Sequence, residues 1–353
     1  MVAKSIIPNE LIFDNQKVAT EYRKAVYNPK KIEFRECQFN FSYKFSKVTK
    51  ETVEFHNCIF TVDQSFENTV FNLEVSFINC EFNSEVNFSG CQFHKLTDFH
   101  DSKFQQHASF FDTTFNDKLN AWGMVFYKGV TFRWANIQKK ANLTHMKVKG
   151  VADFHGVRFA ENMYMHNGEF EILKLERSVI DKSFFSDVSI NSAGRETFRI
   201  IKNEFLKQND RIEALNYHAR EMKAYKDNLR KEMKKNKGTF KWQHLKIIGD
   251  FIILKFNEVS NRFGLSWMTG IFFTLVTTIP LYYLYLQFVC ACPPNDLSFW
   301  KYYPQFLSPL HKLDFIEGAT LKNSAYVVDY IGRTFATLGI YQTVQAFRKY
   351  GRF

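Results

Sequence analysis

An eleven-residue repeat dominates the first half of the chain and restricts the folds that it can adopt. Read in elevens from Thr52, the sequence has two apolar positions in every unit, five residues apart and then six apart, and only Ala121 fills one of them with a small residue. Twenty-two such positions run from Phe55 to Phe170, and seventeen of them are phenylalanine. That is far more than chance would place there, even with 40 phenylalanines among 353 residues. A fixed period of this kind indicates a solenoid.

A second regularity places a small or β-branched residue two positions before most of the large ones, as Val53 precedes Phe55. Residues i and i+2 of a β-strand point to the same side, so both positions should face inward. A five-residue spacing between large residues then indicates a short strand, a corner and the next short strand. From Phe170 to Ile190 the large residues recur strictly every five. We predict a closed core of stacked short strands that contains Phe55, Phe60, Phe77, Phe82, Phe88, Phe93, Phe99 and Phe104.

A large inward residue every five positions, with a small residue two before it, resembles the pentapeptide-repeat family. The resemblance covers roughly residues 32–192, although phenylalanine replaces much of the family's usual leucine and the 5+6 spacing departs from strict fives. It implies an all-β, right-handed quadrilateral β-helix in which two elevens form one coil. Some soluble members of the family mimic DNA and bind gyrase. Such mimicry needs a strongly acidic surface, whereas the charges of this segment nearly balance.

The repeat also gives a structural position to residues that would otherwise suggest a catalytic or metal site. Cys37, Cys58, Cys80 and Cys91 occupy the small inward position and are predicted to be buried free thiols. Five histidines directly follow large positions, and no two of them stack on adjacent coils, which argues against a metal site. No phosphate loop, nucleophile elbow or paired Cys-x-x-Cys occurs. We therefore expect no catalytic residue, metal or cofactor, and no enzyme activity.

From Arg195 the apolar spacing becomes helical, with a break near Asn209. Lysines and arginines cluster between Lys223 and Lys241, and we interpret them as a cytoplasmic flank attracted to anionic lipid rather than as a nucleic-acid surface. Residues 241–263 read as an amphipathic helix lying in the membrane interface. Residues 265–292 contain no charge and exceed the roughly 20 residues needed to cross a bilayer.

A second span is predicted at about residues 324–347, with Asp329 and Arg333 near its outer end and able to pair. Basic flanks and a neutral intervening loop place both termini and the β-helix in the cytoplasm of a bacterium, on its inner membrane. The predicted order is an N-terminal helical cap at 1–31, the β-helix at 32–193, a basic helical connector at 194–240, the interfacial helix at 241–263 and a transmembrane hairpin within 264–353.

The second span carries a stripe of small residues that lets another helix approach closely in lipid: Ala325, Gly332, Ala336, Gly339, Thr343 and Ala346. The partner is either the first span of the same chain or a neighbouring subunit. Asp329 and Arg333 lie beside this stripe. They are read either as an interfacial ion pair or as a charged ring at a pore mouth.

Two functions fit these features. In the first, the β-helix is a sensing or docking arm for an oligomeric, channel-like or membrane-perturbing two-span module, as in a bacterial stress or phage-defence effector. The C-terminal segment ending YQTVQAFRKYGRF is similar to tails of bacterial pentapeptide-repeat membrane proteins described as channel-like. In the second, the hairpin is only an anchor and the β-helix binds a cytoplasmic partner protein. The expected partners are thus membrane lipid, further copies of the chain and a possible cytoplasmic protein.

Overall fold

The computed structural model describes residues 25–28, 31–40, 42, 48–49, 51–235, 242–290, 298–312, 315–316 and 320–348. The chain divides into two compact units, Met1–Glu204 and Phe205–Phe353. The first unit is a parallel β-solenoid of about seven turns, and the second is helical. The predicted β-helix followed by helices is therefore confirmed at this level.

Four columns of parallel strands form the faces of the solenoid. The first column contains β2 (Lys31–Arg35), β5 (Thr52–His56), β9 (Val75–Ile78), β13 (Thr97–Asp98), β17 (Leu119–Asn120) and β21 (Ala141–Asn142). The second contains β3 (Gln38–Phe39), β6 (Ile59–Phe60), β10 (Glu81–Phe82), β14 (Lys103–Phe104) and β18 (Val125–Phe126). The third contains β7 (Gln64–Ser65), β11 (Val86–Asn87), β15 (Ala108–Ser109) and β19 (Gly129–Thr131). The fourth contains β4 (Val48–Thr49), β8 (Val70–Phe71), β12 (Gln92–Phe93), β16 (Thr114–Phe115) and β20 (Asn136–Ile137).

Longer strands close the solenoid and join neighbouring faces: β22 (Lys147–Asp153), β23 (Arg158–Tyr164), β24 (Glu169–Lys174), β25 (Val179–Phe184) and β26 (Ser189–Ala193). The coil length shortens within them. Val86 pairs with Ala108, two elevens further along the chain, whereas Glu169 pairs with Ser189, only four fives further along. The pairing register between β22 and β24 changes between Val148 and Val151, which marks one place where the coil loses a residue. The change from 5+6 spacing to strict fives in the sequence is thus a shortening of each coil.

Each eleven has a residue of positive φ at a tight turn between two faces, and Gly129 is an additional residue of positive φ. The Thr69 amide closes one such turn by donating to the Phe66 carbonyl, 3.1 Å away. Most of these positions hold glycine, asparagine or aspartate, the residues that adopt positive φ at least cost. From the second coil onward they are Asn57, Asn68, Asn79, Gly90, Asp101, Asp112, Gly123, Trp134, His145, Gly156, Asn167, Arg177 and Asp187, with φ between 50° and 69°.

Ladders of stacked phenylalanine rings fill the core. Phe60, Phe82 and Phe104 lie one above another with ring centroids 4.6 and 4.7 Å apart and nearly parallel planes. This separation equals the spacing of neighbouring strands, so each coil presents its ring directly to the ring of the next. None of the eight phenylalanines named in the predicted core is more than 1% exposed.

Both described ends of the solenoid differ from the repeat. At the start, β1 (Ala25–Asn28) pairs antiparallel with β2, so these four residues form a strand and not part of a helical cap. The hydrogen bonds of a sheet edge are satisfied better by a paired strand than by a helix. The rest of the predicted cap lies outside the described residues. At the far end, Thr197 and Glu204 of α1 (Arg195–Lys207) accept hydrogen bonds from the backbone amides of Leu175 and Ser183.

The helical unit begins in the chain with the last residues of α1. It continues through α2 (Arg211–Lys235), α3 (Trp242–Asn261), α4 (Trp267–Phe288), α5 (Ser298–Leu307) and α6 (Asn323–Phe347). Asn209 adopts a left-handed conformation at the predicted break, and the Asp210 carboxylate accepts from the Glu213 amide at the start of α2. Two short strands, β27 (Val289–Cys290) and β28 (Thr320–Leu321), pair antiparallel beyond the end of α4.

Candidate functional site

Helices α4 and α6 form an antiparallel pair in which glycines allow close approach. A Cβ atom at Gly339 would lie 2.8 Å from the Thr274 Cβ, and one at Gly270 would lie 2.6 Å from the Thr343 Oγ1. A Cβ atom at Gly332 would overlap the Phe306 ring of α5. The predicted stripe of small residues therefore packs against α4 and α5 of the same chain. Its Ala325, Ala336 and Ala346 are fully buried there, so within one chain the stripe already has its partner.

The outer faces of these helices are apolar and exposed. On α4 the exposed side chains include Phe272 (68%) and Val276 (53%), and on α6 they include Val327 (60%) and Tyr330 (74%). Helix α3 exposes Ile252, Ile253 and Val259 in the segment predicted to lie in a membrane interface. Exposed large apolar side chains on three helices indicate contact with a membrane or another protein.

Among the described residues, α4 alone has the length and composition of a membrane span, and less than a third of its most apolar stretch is buried within the protein. Its 22 residues extend about 33 Å, comparable to the hydrocarbon thickness of a bilayer. The second predicted span does form a helix, α6, but its composition is more polar than a typical span. The transmembrane hairpin is therefore not confirmed. The polar residues Asp329 and Gln342 lower the apolar content of α6, and the protein itself buries both of them.

Asp329 and Arg333 pair as the spacing predicts, and a third residue joins them. The Arg333 Nε donates to one carboxylate oxygen of Asp329 at 2.7 Å, while the His311 Nε2 lies 2.7 Å from the other. The side chains of His311 and Asp329 are 4% and 2% exposed. Nothing in the sequence points to His311, because it lies well before Asp329 in a segment without helical or strand periodicity.

An aromatic cluster packs beside these three residues. Tyr282 and Tyr285 of α4 contact Phe306 of α5, with ring centroids 5.1 and 5.6 Å away, and all three are buried. The Tyr303 hydroxyl lies 2.8 Å from the Thr278 hydroxyl, which joins α5 to α4 by a hydrogen bond. This end of the helix pair therefore combines a charged centre with a surrounding of low polarity.

The opposite end of the pair carries an amide network. The Asn261 Nδ2 donates to the Gln342 carbonyl and the Gln345 Oε1, and the Gln342 Nε2 donates to the Asn257 Oδ1. Trp267 stacks on Phe347 at the same end, with ring centroids 5.2 Å apart. Residues far apart in the chain make these contacts, and no motif in the sequence indicated them.

One member of the basic cluster is not a surface charge. Lys226 of α2 is buried and its ammonium group lies 2.5 Å from the Glu258 carboxylate of α3. Burial opposes ionisation of Glu258, but hydrogen bonds from Lys226 and Lys255 outweigh it and hold the pKa of Glu258 below its usual value. Lys226 thus fixes the connector to α3. The other described members of the cluster are exposed: Lys223, Arg230, Lys231, Lys234 and Lys235.

The described part of the solenoid contains little that suggests chemistry. Burial raises the pKa of Cys37 to about 11 and that of Cys91 to about 12, so both are unreactive thiols near neutral pH. Small inward residues instead donate to carbonyls of the neighbouring coil, as the Cys91 Sγ does to Phe66 at 2.9 Å and the Ser102 Oγ to Phe77 at 2.7 Å.

Among the residues whose side chains are described, Glu33, Glu54 and His56 lie close enough together to hold a metal ion. The Lys31 ammonium group is 2.8 Å from the Glu54 carboxylate, and Arg35 pairs with Glu33. Two cations therefore already neutralise the two carboxylates. A divalent ion would have to displace these partners, so the cluster is explained by ion pairing alone.

Comparisons with known proteins agree with the fold of the first unit. The family model described as pentapeptide repeats (9 copies) matches residues 50–92. Neither the comparison with curated proteins nor that with solved structures finds a match. The matched residues lie in β5 to β12 and the turns between them, where each coil consists of two elevens and the phenylalanine ladders are continuous. Residues 50–92 of the solenoid are thus similar to pentapeptide repeats, and the helical unit contains one membrane-compatible helix, α4.

Proposed function

We propose that the chain is a non-enzymatic membrane-tethered scaffold: the helical unit is embedded through α4 and α6, and the solenoid is a cytoplasmic docking arm for a partner protein. The observation that carries the proposal is the arrangement of the α4–α6 pair. Its glycines and the polar residues Asp329 and Gln342 are buried, and many of its large apolar residues, such as Phe272, Val276 and Val327, are exposed. A water-soluble helical unit would have the reverse distribution.

This arrangement also supports α6 as a second span despite its composition. Its Asp329 and Gln342 contact protein groups and would not meet lipid. Intramembrane polar residues are tolerated when they face the interior of a bundle and find partners there. Both ends of such a hairpin would lie on the side of the basic connector, the cytoplasmic side of a bacterial inner membrane.

The experiment is membrane insertion of the full chain with a charge placed on the outer face of α4. Val276 lies near the middle of α4, and lysine at the centre of a span costs about 2.5–3.5 kcal/mol. Val276→Lys should therefore shift the chain from the alkali-resistant membrane fraction to the soluble or aggregated fraction. Val179→Lys is the matched control, because Val179 of the solenoid is 62% exposed and tolerates a charge. Equal fractionation of both variants and the parent would contradict the proposal.

A second candidate is the channel-like module with the solenoid as its sensing arm, which would suit a stress or phage-defence effector. The specific observation in its favour is the charged cluster of His311, Asp329 and Arg333, placed beside a helix pair with the span-like α4. Against it, the stripe of small residues is occupied within the chain, so it does not supply an oligomer interface.

Ion flux through liposomes that contain the full chain separates the two candidates. A channel should conduct, and Arg333→Ala should change the rate or ion selectivity of the flux. The matched control is Arg133→Ala, since Arg133 is exposed on the solenoid. Liposomes that remain tight at the protein density that gives full insertion would favour the scaffold.

A further inference from the structure

In the cluster of His311, Asp329 and Arg333, the imidazole of His311 lies at hydrogen-bond distance from two acceptors, whereas a neutral imidazole has only one N–H group to donate. The His311 Nδ1 lies 2.6 Å from the Ser308 carbonyl oxygen, and the His311 Nε2 lies 2.7 Å from an Asp329 carboxylate oxygen. A backbone carbonyl can only accept, and an ionised carboxylate can only accept. Neutral imidazole has one N–H group and therefore satisfies one of these two contacts.

The second contact requires one additional proton, located between the His311 Nε2 and the Asp329 carboxylate. We infer that His311 and Asp329 form a buried proton-binding site in the helical unit. Arg333 fixes the geometry, because its Nε donates to the other oxygen of Asp329 at 2.7 Å. With imidazolium, carboxylate and guanidinium together, the site carries one net positive charge.

The surroundings strengthen this proton-dependent contact. The His311 ring centroid lies 4.8 Å from that of Phe315 and 6.1 Å from that of Phe306. In such a low-polarity setting a charge-assisted hydrogen bond is stronger than in water, and a buried charge without its partner is correspondingly destabilising. Loss of the proton would place a ring-nitrogen lone pair against an acceptor oxygen at hydrogen-bond distance. One of the two contacts would then open.

The groups that face His311 come from three elements. Helix α6 contributes Asp329 and Arg333, α5 contributes the Phe306 ring, and the segment after α5 contributes the Ser308 carbonyl and the Phe315 ring. The two rings and the carbonyl do not titrate. The phenols of Tyr282, Tyr285 and Tyr303 belong to the aromatic cluster, in which the rings of Tyr282 and Tyr285 contact the Phe306 ring. The neighbouring Lys312 is exposed to solvent. The acidic residues Asp314 and Glu317 of the same segment lie outside the described residues.

A metal ion is a poorer occupant of this site than a proton. Only one imidazole nitrogen and one carboxylate converge there among the described residues, whereas a protein zinc site uses three or four ligands. The Arg333 guanidinium already neutralises the carboxylate and would repel a divalent cation. The short distance between the His311 Nε2 and the Asp329 oxygen also leaves no space for an ion between them.

Proton binding at this position would control how the segment after α5 attaches to α6. His311 follows α5 in the chain and holds that segment against Asp329 of α6. The attached form contains one more proton than the form in which this contact is open. Raising the pH must therefore favour the open form, and lowering it must favour the attached form.

The test uses the full chain in lipid nanodiscs, labelled with ¹⁵N-histidine, with the proton itself as the ligand. The spectrum should contain one histidine with both ring nitrogens protonated at a pH where the exposed histidines are neutral. Its signal should disappear in His311→Gln and change to that of a singly protonated ring in Asp329→Asn. His107→Gln is the matched control, since His107 is exposed on the solenoid, and it should leave this signal unchanged.

Two outcomes would overturn the inference. One is a neutral, singly protonated His311 at every pH at which the exposed histidines are neutral. The other is an unfolding temperature of the helical unit whose dependence on pH is the same in the parent and in Asp329→Asn. The inference predicts that the parent loses stability as the pH rises and that the variant does not. If His311→Gln fails to fold, the change of the histidine signal in Asp329→Asn still assigns that signal to His311. The spectrum then still tests whether both ring nitrogens of His311 are protonated.

Discussion

The solenoid and the helical unit bury polar atoms in different ways. In the solenoid, several inward thiols and hydroxyls donate to a carbonyl of the neighbouring coil, and the same contact recurs at Cys91, Ser102 and Thr113. In the helical unit, the buried ion cluster and the amide network each occur once and join segments far apart in sequence. The contacts of the solenoid can be predicted from the sequence because they repeat. The contacts of the helical unit cannot, because each occurs only once.

The sharpest test of this difference is a cavity in the phenylalanine ladder. Phe82 stacks between Phe60 and Phe104 and is fully buried, so Phe82→Ala should lower the free energy of unfolding of the solenoid by about 3–5 kcal/mol. Urea denaturation of the full chain, followed by far-ultraviolet circular dichroism, measures the change. The exposed Phe111 gives the control Phe111→Ala, for which a change within about 0.5 kcal/mol is expected. Similar losses in both variants would contradict the ladder as the main source of stability.

The solenoid should lose stability when a core side chain is made smaller, whereas the α4–α6 pair should lose stability when a side chain at the helix contact is made larger. Gly339 faces Thr274 so closely that Gly339→Leu should destabilise the helical unit by about 1–3 kcal/mol, because the helices must separate to admit the side chain. Thermal unfolding in detergent micelles tests this expectation. Gly249 of α3 is the control, since a Cβ atom there meets nothing within 4 Å. Gly249→Ala should leave the stability unchanged or raise it by up to about 1 kcal/mol.

The smallest expected effect concerns the buried cysteines of the solenoid, which should not react with an alkylating agent at neutral pH. Burial raises the pKa of Cys37 to about 11 and that of Cys91 to about 12 and also raises that of Cys80, so thiolates form only in strongly alkaline solution. Alkylation of the native chain at neutral pH should leave these three cysteines unmodified in peptide mapping, while urea-unfolded chain reacts at all of them. Rapid modification of Cys91 in the native chain would show that its coil opens readily.

The sequence predicts the solenoid well because one physical rule, alternate residues facing inward, applies in every coil. The spacing indicates even the shortening of the coils, from two elevens to four fives. In the sequence, most of the left-handed turn residues are asparagine, aspartate or glycine, whereas Trp134, His145 and Arg177 do not fit that pattern. The strand at Ala25–Asn28 was missed because it lies before the first repeat.

The site in the helical unit was only half predictable. The four-residue spacing of Asp329 and Arg333 indicates an ion pair on one face of a helix, and the structure contains that pair. His311 has no such spacing, because the chain brings it to α6 through an irregular segment. The stripe of small residues indicated a close helix contact but left its partner open, since α4 of the same chain and a second subunit are equivalent in lipid.

The central claim is that α4 and α6 cross a membrane together, and cysteine accessibility tests it most directly. The parent for this test carries Cys290→Ser and Cys292→Ser, and a single reporter is placed at Leu310, which is 92% exposed between α5 and α6, or at Lys235 at the end of α2. In intact spheroplasts, a membrane-impermeant maleimide should label Leu310→Cys at once and Lys235→Cys only after permeabilisation. Protection of both reporters until permeabilisation would contradict the hairpin and leave α4 and α6 on one side of the membrane.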